Sequence, residues 1–376
     1  MSYSIHQYIV SRLQQRKDEN NFRSLSVKKG LVDFYSNDYL GFARDEELKR
    51  KIEEEVKSNP HALLGSTGSR LLSGNNEYVE SLEKYIAEFH HAKSALIFNS
   101  GFDANYGLLS TLPYRGDTII YDELIHASLH DGIRNSKASS ISFSHNNLVE
   151  LEEKLKSARG LKYIVIESVY SMDGDLAPLK EIADLCVKHD AGLIVDEAHA
   201  TGILGTKGEG RVTSEIPNTK VLARIHTFSK ALGVHGAVIL CSQELKEFLI
   251  NYCRPFIFST ALPFHSLAAV KCSYKFLNNA GNRRKKLSSL IYSFKQQVET
   301  SDRRQLITSN TPIQSIVISG NQNAKDVALK IQQQGLDVRP ILYPTVAKGT
   351  ERIRICLHSF NTEEEVTKLA QTINSL

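Results

Sequence analysis

From about Lys93 onward, short β-branched apolar runs alternate with helical stretches, and this alternation constrains the fold more than any other feature of the chain. The runs at 95–99, 118–121, 140–143, 163–167, 193–196, 224–227 and 237–241 read as strands. Between several of them lie stretches such as "NNLVELEEKLKSA" and "PLKEIADLCVKHD", whose apolar residues recur at helical spacing. Strand–helix alternation of this kind predicts an α/β fold, a mainly parallel seven-stranded sheet with helices on both faces. The tail reads differently. "TPIQSIVISG" and "GTERIRICLH" are strand-like, and each is followed by a helical stretch, "NAKDVALKIQQQG" and "TEEEVTKLAQTINSL". A chain of 376 residues exceeds the size at which one core usually stops growing. The expected division is an N-terminal segment over 1–40 that packs with the small domain, a large α/β domain over 41–263, and a small α+β domain over 264–376.

Ligands in such sheets gather outside the carboxyl ends of the strands, so the residues found there are the ones to weigh. Strand 95–99 runs into Ser100, Gly101 and Phe102, a glycine turn that opens a helix and offers backbone amides to an anion. Strand 118–121 leads to His126, on its own a commonplace structural histidine. Strand 163–167 leads to "SVYSMDGDLAPL", in which Ser171 can point into the crevice and Asp173-Gly174-Asp175 is a turn. Strand 193–196 ends in Asp196, with His199 three residues on; a carboxylate closing four apolar residues is expected to be buried and to need a partner. Strand 224–227 ends in "HTFSKALG", which offers the hydroxyls of Thr227 and Ser229 and the amine of Lys230. Small and apolar neighbours around that lysine favour its neutral, nucleophilic form.

Asp196-Glu197-Ala198-His199 spells the tag of a helicase family, but a motor of that kind needs a GxxxxGK[ST] phosphate loop, and the chain contains no Gly-Lys dipeptide. Its net charge of +4, from 46 basic and 42 acidic residues, is too mild for a nucleic-acid footprint. No apolar run approaches the length of a membrane span, and the N-terminus reads as an amphipathic helix without a signal peptide's apolar segment. Five cysteines without a CxxC pair read as reduced thiols of a cytoplasmic protein, with neither a metal site nor a disulfide framework.

Pyridoxal 5′-phosphate (PLP) chemistry uses every strand end. It requires a Schiff-base lysine, an acid that keeps the pyridine nitrogen protonated, a phosphate cup and a group that stacks on the ring. Lys230, Asp196, the Ser100–Gly101–Phe102 turn with Thr227 and Ser229, and His126 are the respective candidates.

The motifs resemble those of the α-oxoamine synthases, PLP-dependent enzymes of fold type I that condense an amino acid with an acyl thioester and lose carbon dioxide. "YSNDYLGF", "GSTGSRLLSGNNEYVESLE", "FNSGFDANYG", "DELIHASLHDGIRNS", "SVYSMDGDLAPL", "VDEAHATGILGTKGEGR", "TFSKALGVHGA", "FIFSTALP" and "PTVAKGTERIRICL" occur in family order over nearly the whole chain. The resemblance implies that Lys230 carries the cofactor and acts as general acid and base, that Asp196 pairs with the pyridine nitrogen, and that His126 stacks on the ring. It also implies His199 and Ser171 near the ring's phenolic oxygen, and Ser100, Gly101, Phe102, Thr227 and Ser229 around the phosphate. Thr260 of "FSTALP" would reach the phosphate of a partner subunit, hence a homodimer with shared active sites. Arg354 would hold the amino-acid carboxylate, and Thr345 and Arg23 would meet the acyl substrate, carried by coenzyme A or an acyl carrier protein.

Within the family, "SNDYLG", "GSRLLSGN", "SMDGD" and "PTVAKGTERIR" are most similar to the biotin-pathway members, which use L-alanine and a pimeloyl thioester. Arg70 departs from them, standing where some have histidine. A sister acyl transfer, such as one with glycine, is the alternative. A non-catalytic scaffold is disfavoured because every expected catalytic residue type is present.

Overall fold

Seven strands form one sheet: β1 (Ser94–Phe98), β2 (Thr118–Asp122), β3 (Ser139–Phe143), β4 (Lys162–Glu167), β5 (Ala191–Asp196), β6 (Ala223–Thr227) and β7 (Ala237–Cys241), in the spatial order β1-β7-β6-β5-β4-β2-β3. All neighbours run parallel except β7, which is antiparallel to both β1 and β6. The computed structural model describes residues 4–25, 30–300 and 304–376; residues 1–3 and 26–29 of the expected N-terminal segment lie outside them. The strands predicted from the apolar runs correspond to these seven to within a residue or two at each end.

The reason is burial. β1, β6 and β7 are buried at every position, and β4 and β5 at all but their first residues. Strands covered on both faces are mostly apolar, which is why they read as near-continuous runs, although β6 also buries Arg224 and His226. Edge strand β3 is the exception: Ser139, Ser140, Ile141 and Ser142 are exposed, and polar residues blunt an edge that could otherwise pair with another chain.

The described residues fall into two units, the larger spanning 37–171 and 175–285, the smaller 1–36, 172–174 and 286–376. The boundary expected at 263 thus falls after 285. The helix Phe264–Leu277 buries Leu267, Ala268, Val270 and Tyr274, and the Tyr274 ring stands edge-on to Phe89 and Phe228, deep in the larger unit. The start of the larger unit likewise falls at 37, because Tyr39 and Leu40 are fully buried and Tyr39 bonds to His199.

The smaller unit carries a four-stranded antiparallel sheet of β8 (Gln305–Leu306), β9 (Ile313–Val317), β10 (Arg339–Ile341) and β11 (Arg352–Cys356), in the order β10-β11-β9-β8. Only β9 and β11 were legible in the sequence. β8 is two residues long, too short for a pattern, and β10 contains Pro340, which is tolerated because β10 is an edge. The two expected helices are present as Asn321–Gln333 and Glu363–Asn374. Residues Ile5–Asp18 form a helix begun by a reciprocal capping box between Ser4 and Gln7. Among the described residues no helix is long and apolar enough to cross a membrane.

Candidate active site

Parallel pairing sets the ends of β4, β5 and β6 side by side, with Glu167 opposite Asp196 in the register. Asp196 is 5% exposed. Its Oδ2 accepts from Asn105 Nδ2 at 2.7 Å and its Oδ1 from the Ala198 amide at 2.8 Å. Both donors are neutral, so the carboxylate is solvated by the protein while its charge is left for a cation to meet. Glu167 is buried beside it, and burial, followed by the neighbouring Asp196 carboxylate, pushes its carboxyl well above the ordinary range. Burial thus favours the protonated form of Glu167, while Asp196 is the acid whose two oxygens both receive donors.

His126 caps α2 (Ala127–Asn135), its Nδ1 lying 3.2 Å from the Ser128 amide that donates to it and 2.7 Å from Ser128 Oγ. Desolvation lowers the basicity of this ring, Asp196 opposes that effect, and Lys230 and His130 add to it. His126 as a residue nonetheless remains exposed. A ring pinned through one nitrogen, on a residue that is not fully covered, is suited to receive a flat ligand. Lys230 acts electrostatically on both His126 and Glu167. Lys230 sits in a tight turn closed by the Gly233 amide donating to its carbonyl at 2.9 Å. Gly233 has φ +66°, and a Cβ there would come within 2.4 Å of the Ala43 nitrogen, so only glycine closes this turn.

The anion cup lies at the start of α1 (Gly101–Thr111). Ser100 caps this helix: its Oγ accepts from the Asp103 amide at 3.1 Å and donates to Asp103 Oδ2 at 2.8 Å. That hydroxyl is already committed, which leaves the first-turn amides of Gly101 and Phe102 as the donors without an intrahelical acceptor. A Cβ on Gly101 would stand 3.4 Å from both Cβ and Oγ1 of Thr227, whose hydroxyl is 3.1 Å from Ser229 Oγ. Gly101 therefore neighbours the hydroxyls of Thr227 and Ser229, where sequence reasoning expected a phosphate. Thr260 is exposed, and its carbonyl accepts from Asn99 Nδ2 at 2.9 Å, one residue before the cup.

His199 is buried, with Nδ1 2.8 Å from the hydroxyl of Tyr39, itself fully buried and donating to Asn37 Oδ1 at 3.1 Å. Ser171, also buried, closes the first segment of the larger unit. In the smaller unit, Arg23 NH2 donates to Thr345 Oγ1 at 3.3 Å, so these two residues meet across more than three hundred positions. Arg354 lies buried on β11, its NH1 3.0 Å from Cys356 Sγ. Arg70 takes part in a charge cluster on the larger unit. It donates to Asn75 Oδ1 and pairs at 2.8 Å with buried Glu83, which Lys246 also meets at 2.9 Å.

A family profile described as aminotransferase class I and II matches residues 29–373. The chain belongs to that family. It is 40% identical over 387 aligned residues to an 8-amino-7-oxononanoate synthase of Emericella nidulans, covering 96% of this chain and 93% of the relative. Among solved structures, a serine palmitoyltransferase from S. paucimobilis with a bound PLP–myriocin aldimine superposes with a TM-score of 0.87 at 26% identity, covering 98% of this chain and 96% of that one. An 8-amino-7-oxononanoate synthase from Francisella tularensis gives a TM-score of 0.78 at 29% identity, over 93% and 98% of the two chains. These relatives bear out the α-oxoamine synthase resemblance, the fold type I architecture and PLP as the cofactor.

The residues present fit that cofactor. A buried carboxylate with neutral donors suits a protonated pyridine nitrogen, and the Gly101–Thr227 cradle, which a Cβ would fill, suits a phosphate. Sequence reasoning missed Asn105, Ser128, Tyr39 and Glu167. Asn105 and Tyr39 lay inside the quoted motifs "FNSGFDANYG" and "YSNDYLGF", a signal that could have flagged them.

Proposed function

We propose that this chain is an 8-amino-7-oxononanoate synthase, condensing L-alanine with a pimeloyl thioester and releasing carbon dioxide and the free thiol. The observation that carries the reading is the joint placement of Lys230, Asp196 and His126 at the ends of parallel strands, in a chain 40% identical to a relative of that name. Bound PLP supplies an electron sink for the pair of electrons left at the amino-acid Cα.

The protein's own groups do the rest. Asp196, whose oxygens accept from Asn105 and the Ala198 amide, would hold the proton on the pyridine nitrogen. His126 would orient the ring by stacking, His199 and Ser171 would meet the phenolic oxygen, and the Gly101 and Phe102 amides with Thr227 and Ser229 would bind the phosphate. Arg354 orients the amino acid by its carboxylate. The Lys230 amine removes the α-proton. Cα then bonds to the thioester carbonyl carbon, the C–S bond breaks with its electron pair on sulfur, and the departing thiolate takes a proton from solvent. The Cα–carboxylate bond breaks next, carbon dioxide departs, and Lys230 returns a proton to Cα. General acid–base work by a positioned amine of this kind contributes about 10²–10⁴-fold.

Arg23 and Thr345 receive the acyl substrate, consistent with their mutual contact. The protein acts as a cytoplasmic homodimer in which Thr260 reaches the partner's phosphate. All five cysteines are buried, and burial pushes the thiols of Cys186 and Cys241 up to about 12, which suits chemistry that uses no thiol of the enzyme.

The test is thiol release from pimeloyl-CoA by PLP-loaded protein, with L-alanine, glycine or L-serine as co-substrate. Release dependent on L-alanine supports the reading. Release with glycine or serine alone moves the protein to a sister α-oxoamine synthase activity.

A further inference from the structure

Asn105 lies on α1 and is 3% exposed. Its side-chain amide makes two donations, to Asp196 Oδ2 at 2.7 Å and to Ser128 Oγ at 3.0 Å. Its own carbonyl oxygen is buried and has no hydrogen-bond partner among the described residues. A buried amide that leaves its acceptor unused is costly compared with an apolar residue of the same size. The orientation is not arbitrary, because the reverse placement would set Oδ1 against a carboxylate oxygen.

The direction of each proton then follows. An amide NH₂ can only donate, so Ser128 Oγ accepts from Asn105 and must send its own hydrogen elsewhere. His126 Nδ1 stands 2.7 Å away and also receives the Ser128 backbone amide at 3.2 Å. A nitrogen facing two donors carries no proton, which puts the single ring proton of His126 on Nε2. The charged and titratable groups that act on this ring are Asp196, Lys230, His130 and Asp131, and Glu167 bonds to the His126 peptide. Gly132 makes the arrangement possible: a Cβ there would meet Leu109 Cβ at 2.9 Å and the Asn105 carbonyl at 3.1 Å. The absence of that Cβ lets α1 and α2 approach closely enough for Asn105 to reach Ser128.

We propose that Asn105 and Ser128 are positioning residues, forming a one-way hydrogen-bond relay that fixes the Asp196 carboxylate at one end and the neutral, Nε2-protonated ring of His126 at the other. The inference rests on the functional reading above, in which those two residues hold the cofactor ring. Its consequence is that the acid and the stacking face are set relative to each other in the apo protein. A neutral ring also avoids placing a second positive charge beside the cation that Asp196 is built to meet. The logic is that of an outer-shell partner orienting a ligand-binding histidine.

The experiment uses full-length apo protein with ¹⁵N-labelled histidine, comparing wild type with Ser128→Ala and Asn105→Leu. Long-range ¹H–¹⁵N spectra report the tautomer and titration of His126, and equilibrium dialysis gives the PLP dissociation constant. Wild type is expected to show the Nε2–H form. In both variants the proton affinity of His126 should rise at least about threefold and PLP binding weaken about tenfold, the effect of one lost hydrogen bond. Ser128→Ala removes a single oxygen, so it keeps the test decisive if Asn105→Leu does not fold. Wild-type titration and PLP affinity in folded Ser128→Ala would overturn the relay, as would an Nδ1–H tautomer in wild type. Failure of wild type to bind PLP would instead overturn the functional reading, while the apo titration still decides the relay.

Discussion

Asp196 and Glu197 are adjacent in sequence, as are Thr227 and His226, yet they belong to two polar regions of opposite character. On one side, Asp196 takes only neutral donors, His126 remains exposed, and the first amides of α1 have no intrahelical acceptor. On the other, most polar groups are answered from within the chain, although the buried Nε2 of His226 has no hydrogen-bond partner among the described residues. Glu197 accepts from the Arg211 and Val212 amides, and His90 lies between the Glu209 carbonyl at 2.9 Å and Tyr274 Oη at 3.0 Å. Arg224 donates to Thr213 Oγ1 and to the His90 carbonyl, and Thr201 bridges the Glu197 carbonyl and His226 Nδ1. The open region can act on a ligand, whereas the closed one holds β5 and β6 in register. One step along a strand changes the face and hence the task.

Four changes probe that contrast, the largest effect first. Lys230→Ala belongs to the open region alone and is expected to lower turnover by at least about 10³-fold. Its unfolding free energy should stay within about 0.5 kcal/mol of wild type, as urea melts of the apo protein would report. Glu197→Ala should do the reverse in kind. It strips Arg224 of a countercharge and two amides of their acceptor, at a cost of about 3 kcal/mol in the same melts. A small loss of stability there would dissolve the distinction between the regions.

Third, acid should attack the closed region. Burial, with Arg224 adding to it, lowers His90 to about 3, and burial lowers His226 well below its ordinary value. A histidine whose folded pKa is depressed contributes stability that is complete above about 6.5 and is lost as pH falls through that value toward the folded one. Wild type should therefore lose about 2 kcal/mol from His90 alone between pH 6.5 and pH 5. His90→Phe should flatten that part of the pH–stability curve. His145 provides the opposite sign in the same protein. Although burial works against it, Asp122 and Asp175 raise it to about 10, so its contribution is complete below 6.5 and is lost as pH rises through 10. Fourth and smallest, Gly101→Ala should weaken PLP binding about tenfold through the crowded Thr227 contact, with little change in apo stability.

The sheet was legible because both faces of its central strands are buried, which favours near-continuous apolar runs. The smaller unit was half legible: β9 and β11 are long enough to show a pattern, whereas β8 and the proline-bearing β10 acquire strand geometry only by pairing with them. In the candidate site, the strand-end rule picked out Asp196, Thr227 and Lys230 directly, because their position along the chain fixes their position in the fold. Asn105, Ser128, Tyr39 and Glu167 escaped it. Asn105 meets Asp196 across 91 positions and Tyr39 meets His199 across 160, so their importance lies in hydrogen bonds that no local pattern encodes. Arg70, which departs from the histidine of some biotin-pathway members, is half of an ion pair with Glu83.

The central claim is that the open region around Asp196 and Lys230 is where the cofactor is held. Borohydride reduction of PLP-loaded protein, followed by peptide mapping, tests it most directly. The account predicts a single phosphopyridoxyl group on Lys230; its appearance on any other lysine, or its absence from protein that has bound PLP, would contradict it.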